Sequence, residues 1–364
     1  MWFLAFVAST ETCSTPGTYY GTDPVTALRI YGTEIEFPLL TGQAVFTLGR
    51  SAHCDLRADL RYLAAVHVRI ERVANHDWLR VTDVSSGKNP VIFKSRRQHE
   101  FYMRPGDSFR IGKTVFYALS DEMRLARPIA MEVLGARHYA ELDDLLIAAV
   151  LNADRHFVII AEPGNDQERL GQAIHMASPR RRHLFKVIPP EPGPSEISPQ
   201  MVRDARGGTM LIWLPPKRRF DPTALAWMLA PEASLRLVLC APSIGKVNAS
   251  FPPAVVGGAH EVEIAPLRKR EDEIPQLLDH WLVSIRSRLR FAALTEQAQQ
   301  ELRAYAWRGN LRELRVAADH LSQLAHFRSE RQATSDTEIS RSASRNWRKR
   351  LGLSLPLTTL PLTT

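Results

Sequence analysis

The sequence predicts a multidomain chain: an all-β sandwich, then an α/β domain with a helical end piece. Three observations carry this. From about Leu28 to Leu119, short runs alternate apolar and polar residues between turn residues, the pattern of half-buried antiparallel strands. Beyond Phe157 the strand-like runs are apolar throughout and separated by helical patterns, which argues for a parallel sheet covered on both faces. The 364 residues suffice for two domains or more.

Composition sets the frame. Hydrophobic residues make up 45% and charged residues 24% of the chain, the balance of a globular protein. The cysteines, Cys13, Cys54 and Cys240, lie far apart and lack metal-ligand spacing, so a reducing, cytoplasmic setting is expected. The opening MWFLAFVAST is apolar but too short to span a bilayer, and no positive charge precedes it. Residues 1–27 read as a disordered leader. The formal charge is +8, and between Arg328 and Arg350 seven basic residues stand against three acidic ones. Such a tail can touch phosphates, but reads first as a solvated run.

In chain order, AVFTLGR, HVRIERV, WLRVTDV, NPVIFKS and DSFRIGKTVFYAL are the strands of the first domain, residues 28–120. MRLARPIA reads as a basic linker, 121–130. ELDDLLIAAVLNA is a helix by its three- and four-residue apolar spacing. FVIIA, GGTMLIWL and LRLVLCAP are buried strands, QERLGQAIHMA is a helix, and all fall within 131–266. IPQLLDHWLVSI, TEQAQQELRAY and NLRELRVAADHLSQLA form the helical end piece, 267–327. Residues 328–364 are Ser/Thr-rich, then basic, then a Leu-Pro-Thr repeat, a composition that predicts disorder.

The turns carry chemistry. Gly49-Arg50 ends one strand, His67 follows in LAAVHVRI, then TDVSSGKNPV, then MRPGDSFRIG. This order resembles the forkhead-associated (FHA) domain, a phosphothreonine-peptide reader. The resemblance implies that Arg50 is the phosphate cation and that Ser86, Lys88 and Asn89 contact phosphate or peptide. It implies structural roles for Gly49, His67, Gly106 and Asp107. Loops that present a bidentate cation and short-range donors suit a phosphate. The chain departs from the pattern at Ala64, where the family has serine, at Ala65, where it has arginine, and at Asn89-Pro90, where it has Asn-Gly. A lost hydrogen bond to a charged group is worth about 1.5–3 kcal/mol, roughly tenfold to a hundredfold in affinity. Weak phosphopeptide binding and a non-phosphorylated protein ligand on the same loops both stay open.

The segment from VLGARHYAELDDLL to SPRRR, with ARGGTMLIWL, IAPLRKREDEIPQLLDHWL and AYAWRGNLREL, resembles the AAA+ domain of sigma-54-dependent transcription activators, from Met131 to Ala325. A working phosphate loop needs glycines for close backbone approach and a lysine for the β- and γ-phosphates. At the family's Gly-Glu-x-Gly-x-Gly-Lys-Glu this chain has Ala161, Glu162, Pro163, Gly164, Asn165, Asp166, Gln167 and Glu168. The acidic pair of the second nucleotide motif is replaced by Trp213 and Leu214, which cannot ligand magnesium. The polymerase-contacting loop is missing, FPPAVVGGAHEV lacks the family's arginine, and Arg312 alone survives, at the lid sensor position. An arginine finger by itself is worth on the order of 10³–10⁵ in rate, so losing it with the lysine and carboxylates leaves little catalysis.

The resemblances imply a cytoplasmic bacterial regulatory protein that docks a phosphothreonine-containing protein. The expected AAA+ domain hydrolyses no ATP and has no resident cofactor, while residual binding of ATP and magnesium stays open. AAA+ relatives or RNA polymerase are further candidate partners. Sequence-specific DNA and membranes are not expected. With no nucleotide between subunits, a monomer or dimer is expected. The alternative is an ATP-dependent sigma-54 activator bound to enhancer DNA.

Overall fold

The structure is a computed structural model that describes residues 23–73, 76–87, 89–135, 138–189, 197–214 and 222–326. Eleven strands, counted among the described residues, build the sandwich: β1 (Ala27–Ile30), β2 (Glu36–Pro38), β3 (Val45–Gly49), β4 (Leu56–Arg57), β5 (Val68–Arg72), β6 (Leu79–Asp83), β7 (Val91–Phe93), β8 (Arg96–Arg97), β9 (Glu100–Met103), β10 (Ser108–Ile111) and β11 (Thr114–Leu119). One sheet has the order β2-β1-β11-β10-β7-β8 and the other β4-β3-β5-β6-β9. Alternate residues such as Val68 and Ile70, Leu79 and Val81, and Phe109 and Ile111 close a core between the sheets, as strand pleating dictates.

Register defines two ends of this sandwich. Leu48 pairs with Val68, and Val68 with Asp83. The chain after β3, before β5 and after β6 therefore gathers at one end. Leu79 pairs with Met103 at the other end, where the Arg104–Asp107 turn lies. Gly106 there has φ +87°, and a Cβ on it would meet Leu151 at 3.0 Å. Leu151 ends the helix α2 described below, so this end abuts the second domain.

Residues 121–130 are not a linker. They form most of helix α1 (Asp121–Leu134). Ser120 Oγ caps the Met123 amide, with Asp121 and Glu122 in the first turn. Met123, Ala126, Ala130 and Val133 share a core with Ala27, Tyr117 and Leu119 of the sandwich and with α2 (Tyr139–Leu151). Arg127 and Pro128 made the segment look like a connector. In the structure Arg127 is buried against Asp143, whose other carboxylate oxygen accepts the Gly32 amide at 2.7 Å. Tyr117 donates its hydroxyl to Asp143 at 2.7 Å. The two domains are joined through a common interior. The leader read as 1–27 also ends earlier: Val25 is buried, and Asp23 pairs with Arg181. Residues 1–22 and 327–364, with the rest of that leader and the tail, lie outside the described residues.

The α/β domain carries the parallel sheet β13-β14-β15-β12-β16, from β12 (Phe157–Ala161), β13 (Phe185–Ile188), β14 (Thr209–Trp213), β15 (Arg236–Ala241) and β16 (His260–Ile264). α1, α2 and α3 (Gln167–Ala177) pack on one face. α4 (Pro199–Asp204), α5 (Pro222–Leu229), α6 (Ile244–Asn248) and α7 (Pro253–Gly257) contribute to the core on the other. The first strand of the domain, β12, lies between the last two, β15 and β16. The loop leaving β12 thus opens at a topological switch point, where such sheets bind ligands. α8 (Ile274–Ser284), α9 (Glu296–Ala304) and α10 (Asn310–His326) close a separate core around Trp281, Leu302 and Trp307, the lid. Among the described residues no helix is long and apolar enough to cross a membrane.

Candidate functional site

At the free end of the sandwich, Gly49 admits a backbone zipper. Arg50 N donates to Ala64 O and Ser51 N to Ala65 O, both at 3.0 Å. A Cβ on Gly49 would strike the Ala65 carbonyl, so the residue before Arg50 must be glycine. His67 braces the neighbouring turns. Its Nδ1 accepts the Ala64 amide at 3.0 Å, which puts the ring proton on Nε2, facing Asn89 O at 2.9 Å. Burial, its largest influence, holds this imidazole below the usual histidine range and so in the neutral form the two bonds require.

Asn89 is committed to the frame: its Nδ2 donates to Tyr62 O at 2.9 Å. Asp83 caps the following turn through Ser85 N at 2.9 Å and Ser85 Oγ at 2.6 Å. Arg50 and Ser86 are exposed, and Arg50 makes no side-chain bond among the described residues. Lys88 lies outside the described residues. Gly106 and Asp107 sit at the opposite end, where Asp107 Oδ2 accepts the Arg104 amide at 2.8 Å. Burial raises the Asp107 carboxyl above its ordinary range. The structure therefore gathers Arg50, Ser86 and Asn89 around His67 and leaves Gly106 and Asp107 to the domain joint.

The loop after β12 is built differently. Gly164 has φ +85°, and a Cβ there would run into the carbonyl of Gly309 in the lid. Arg312 N donates to Gly164 O at 3.0 Å. Asn310, fully buried with φ +50°, donates its Nδ2 to Pro163 O at 3.0 Å and accepts the Leu267 amide at 2.9 Å. Lid backbone lies directly on loop backbone.

Charge follows the same line. Arg268 holds Glu162 with two bonds, 2.6 and 2.5 Å, chiefly responsible for keeping that carboxyl below its usual range. Asp166, at the left-handed position before α3, is gripped by both terminal nitrogens of Arg315. Arg315 also lies over the Trp281 ring at 5.0 Å and 3.3 Å from Glu132. Glu132 further accepts from Arg169 and the Trp281 indole, each at 2.8 Å. This one carboxylate ties α1, α3, α8 and α10 together.

Gln167, at the lysine position, turns inward. Its Nε2 donates to Glu162 O at 3.0 Å and Ala161 O at 3.4 Å. Asn165 Nδ2 donates to Glu162 O at 3.2 Å. The side-chain amide oxygens of Asn165 and Gln167 are buried without a partner among the described residues. Glu168 is exposed. Trp213 packs against the central core, and Leu214 is buried with its amide on Cys240 O at 2.7 Å. Neither presents an oxygen ligand to a hard cation. The Arg312 side chain is exposed, and only its backbone touches the loop. Among the described residues no cluster of three or more His, Cys, Asp or Glu could hold a metal. Arg268, Asn310, Arg315 and Glu132 were not singled out from sequence. Arg315 stands 149 residues from Asp166, and no local pattern announces such a contact.

The helical end piece matches a known family model. A family model for the AAA+ ATPase lid domain matches residues 268–340. No curated protein matches the chain. Solved structures with similar folds include the FHA domain of the CT664 protein from Chlamydia trachomatis, 20% identical, covering 26% of this chain and 95% of that one at TM-score 0.23. NtrX from Brucella abortus in complex with ADP is 17% identical, covering 56% of this chain and 53% of that one at TM-score 0.40. EmbR from Mycobacterium tuberculosis with a low-affinity phosphopeptide is 20% identical, covering 27% of this chain and 24% of that one at TM-score 0.24. This chain spans about half of NtrX and a quarter of EmbR. The chain joins a two-sheet β-sandwich to a parallel α/β domain, and its helical end piece matches the AAA+ lid.

Proposed function

We propose that this chain is a signalling protein whose FHA-like end docks a phosphothreonine-bearing protein, and whose AAA+ domain is a scaffold without ATP hydrolysis. One observation carries the second half: the lid rests on the loop where phosphates would sit. Gly309 fills the space beside Gly164, and Arg315 occupies Asp166. An entering phosphate would meet the Asp166 carboxylate and would have to displace lid backbone. Trp213 and Leu214 supply no magnesium ligand, so the residues present do not fit magnesium–nucleotide, and no hydrolytic step is assigned.

The first half rests on the open end of the sandwich. Arg50 is exposed and without a side-chain partner among the described residues, backed by a neutral His67 and by Gly49. A guanidinium held on a rigid turn grips phosphate bidentately. The test is capture of phosphothreonine peptides by the full chain, beside an assay of magnesium-dependent ATP turnover. Phosphate-dependent capture without turnover is expected. Measurable turnover, removed by substitution within Glu162–Gln167, contradicts the scaffold reading and restores the ATP-dependent activator.

A further inference from the structure

The two sheets of the sandwich are finished differently on their outer sides. One lies against α1 and α2 at Tyr117. The other, across β3, β5, β6 and β9, turns Val45 and Tyr102 outward, 37% and 47% exposed. Pairing aligns its outward residues in rows. One row reads Val45, Glu71, Arg80, Tyr102, and the next Thr47, Arg69, Thr82, Glu100. Opposite residues of an antiparallel pair share one side of the sheet, and the alternate residues Phe46, Ile70, Val81 and Phe101 fill the core on the other. Beyond the first row the ladder continues: Val73 N donates to Trp78 O at 3.2 Å. Trp78 lies edge-on to Tyr102, with ring centroids 6.3 Å apart.

The first row runs apolar, acid, base, apolar, an order that complements itself when turned over. A twofold axis along the strands, between β5 and β6, lays the partner's Arg80 on Glu71 and the partner's Tyr102 on Val45. The same turn lays the partner's Trp78 on Val73. Within one copy Glu71 already pairs with Arg69 at 2.6 Å and with Arg80, so covering the row strands no lone charge. Self-complementarity of this kind is what a twofold contact requires. Four strands about 4.8 Å apart, with five residues rising about 3.4 Å each, give a face of roughly 14 by 17 Å. That lies well below the about 800 Å² per partner of a standard interface, so a weak, concentration-dependent contact is expected.

We infer that the outer side of β3, β5, β6 and β9 is a dimer interface, occupied by the same face of a second copy of this chain with Val45 against the partner's Tyr102. The inference stands apart from the docking reading above. Taken with it, the axis along the strands points both free ends the same way, and the dimer offers two Arg50 ends side by side to a doubly phosphorylated partner.

The experiment is sedimentation velocity of the full chain from micromolar to submillimolar concentration, without any peptide. Wild type is compared with Val45→Glu, with Tyr102→Arg, and with an equimolar mixture of the two variants. Wild type is expected to dimerise with rising concentration. Each variant alone weakens the dimer by about tenfold or more. The mixture recovers it, because Glu at 45 then meets Arg at 102 across one half of the contact while the other half keeps Val45 against Tyr102. Where a charged variant melts lower than wild type, Val45→Ser and Tyr102→Ser read the same loss. A wild type that stays monomeric throughout overturns the inference. So does a dimer that either variant leaves intact, or a mixture that stays monomeric.

Discussion

The free end of the sandwich and the loop after β12 are both places where glycine lets backbones meet, yet they are finished in opposite ways. At the sandwich end, structural bonds are made by backbone, His67 and Asn89, while Arg50 and Ser86 are exposed and form no side-chain bond among the described residues. At the loop, the Glu162 and Asp166 carboxylates each already hold an arginine, and the lid lies on the backbone. The first arrangement leaves charge facing outward; the second consumes charge internally. Burial decides how the closure is held. Arg268–Glu162 is about 40% exposed on both sides, where water and salt screen the attraction. The buried Asn310 bonds and the Gly164–Gly309 contact hold the lid.

Substitutions can break this contrast. The largest effect is expected from Gly164→Ala. A left-handed backbone penalty of about 1–2 kcal/mol adds to an overpacking cost of about 1–3 kcal/mol, and the lid is pushed away. Thermal melting and hydrogen exchange at Gly309–Glu313 read it. Gly49→Ala has the same kind of backbone collision but should leave lid exchange unchanged. Next, Asn310→Ala strips a buried amide and a carbonyl of their partner and should cost about 1–3 kcal/mol, with faster exchange at Leu267.

Acid should separate the two halves. Burial pushes His156, His175 and His260 of the α/β domain down to about 4 each. A base depressed in the folded state stabilises above its unfolded value, near 6.5, and loses that contribution as pH falls toward the folded value. Stability of the α/β domain should therefore fall between about pH 6.5 and 4. Among its described residues the sandwich has one histidine held low, His67, and should lose less. Domain-resolved hydrogen exchange across that range checks this. The smallest effect on stability is expected from Arg50→Gln, within about 0.5 kcal/mol, because no described residue bonds that side chain.

Much of this was legible in sequence where the signal is local. Alternation marked β3, β5 and β6, and unbroken apolar runs marked β12, β14 and β15. The edge strands β2, β4 and β8 hold two or three residues each and owe their conformation to partners. β13 and β16 escaped for a related reason: at the sheet edges, FKVI and HEVEI keep polar positions partly exposed and do not read as buried strands. Helix α1 was hidden by Arg127 and Pro128, although Ser120 and the Ala126–Ala130 spacing signal it. At the sites, Gly49, Arg50 and His67 stood in a recognisable order. The lid contacts of Arg268, Asn310 and Arg315 depend on how two separate cores meet, which no window of sequence contains.

The central claim is that the lid already fills the nucleotide loop. Calorimetric titration of the intact protein with ATP and magnesium tests it most directly, with Gln167→Lys alongside. No binding heat is expected from either, because restoring the lysine moves neither Gly309 nor the Arg315–Asp166 pair. Micromolar binding by the natural protein would contradict the account: the lid would then be a gate that nucleotide opens.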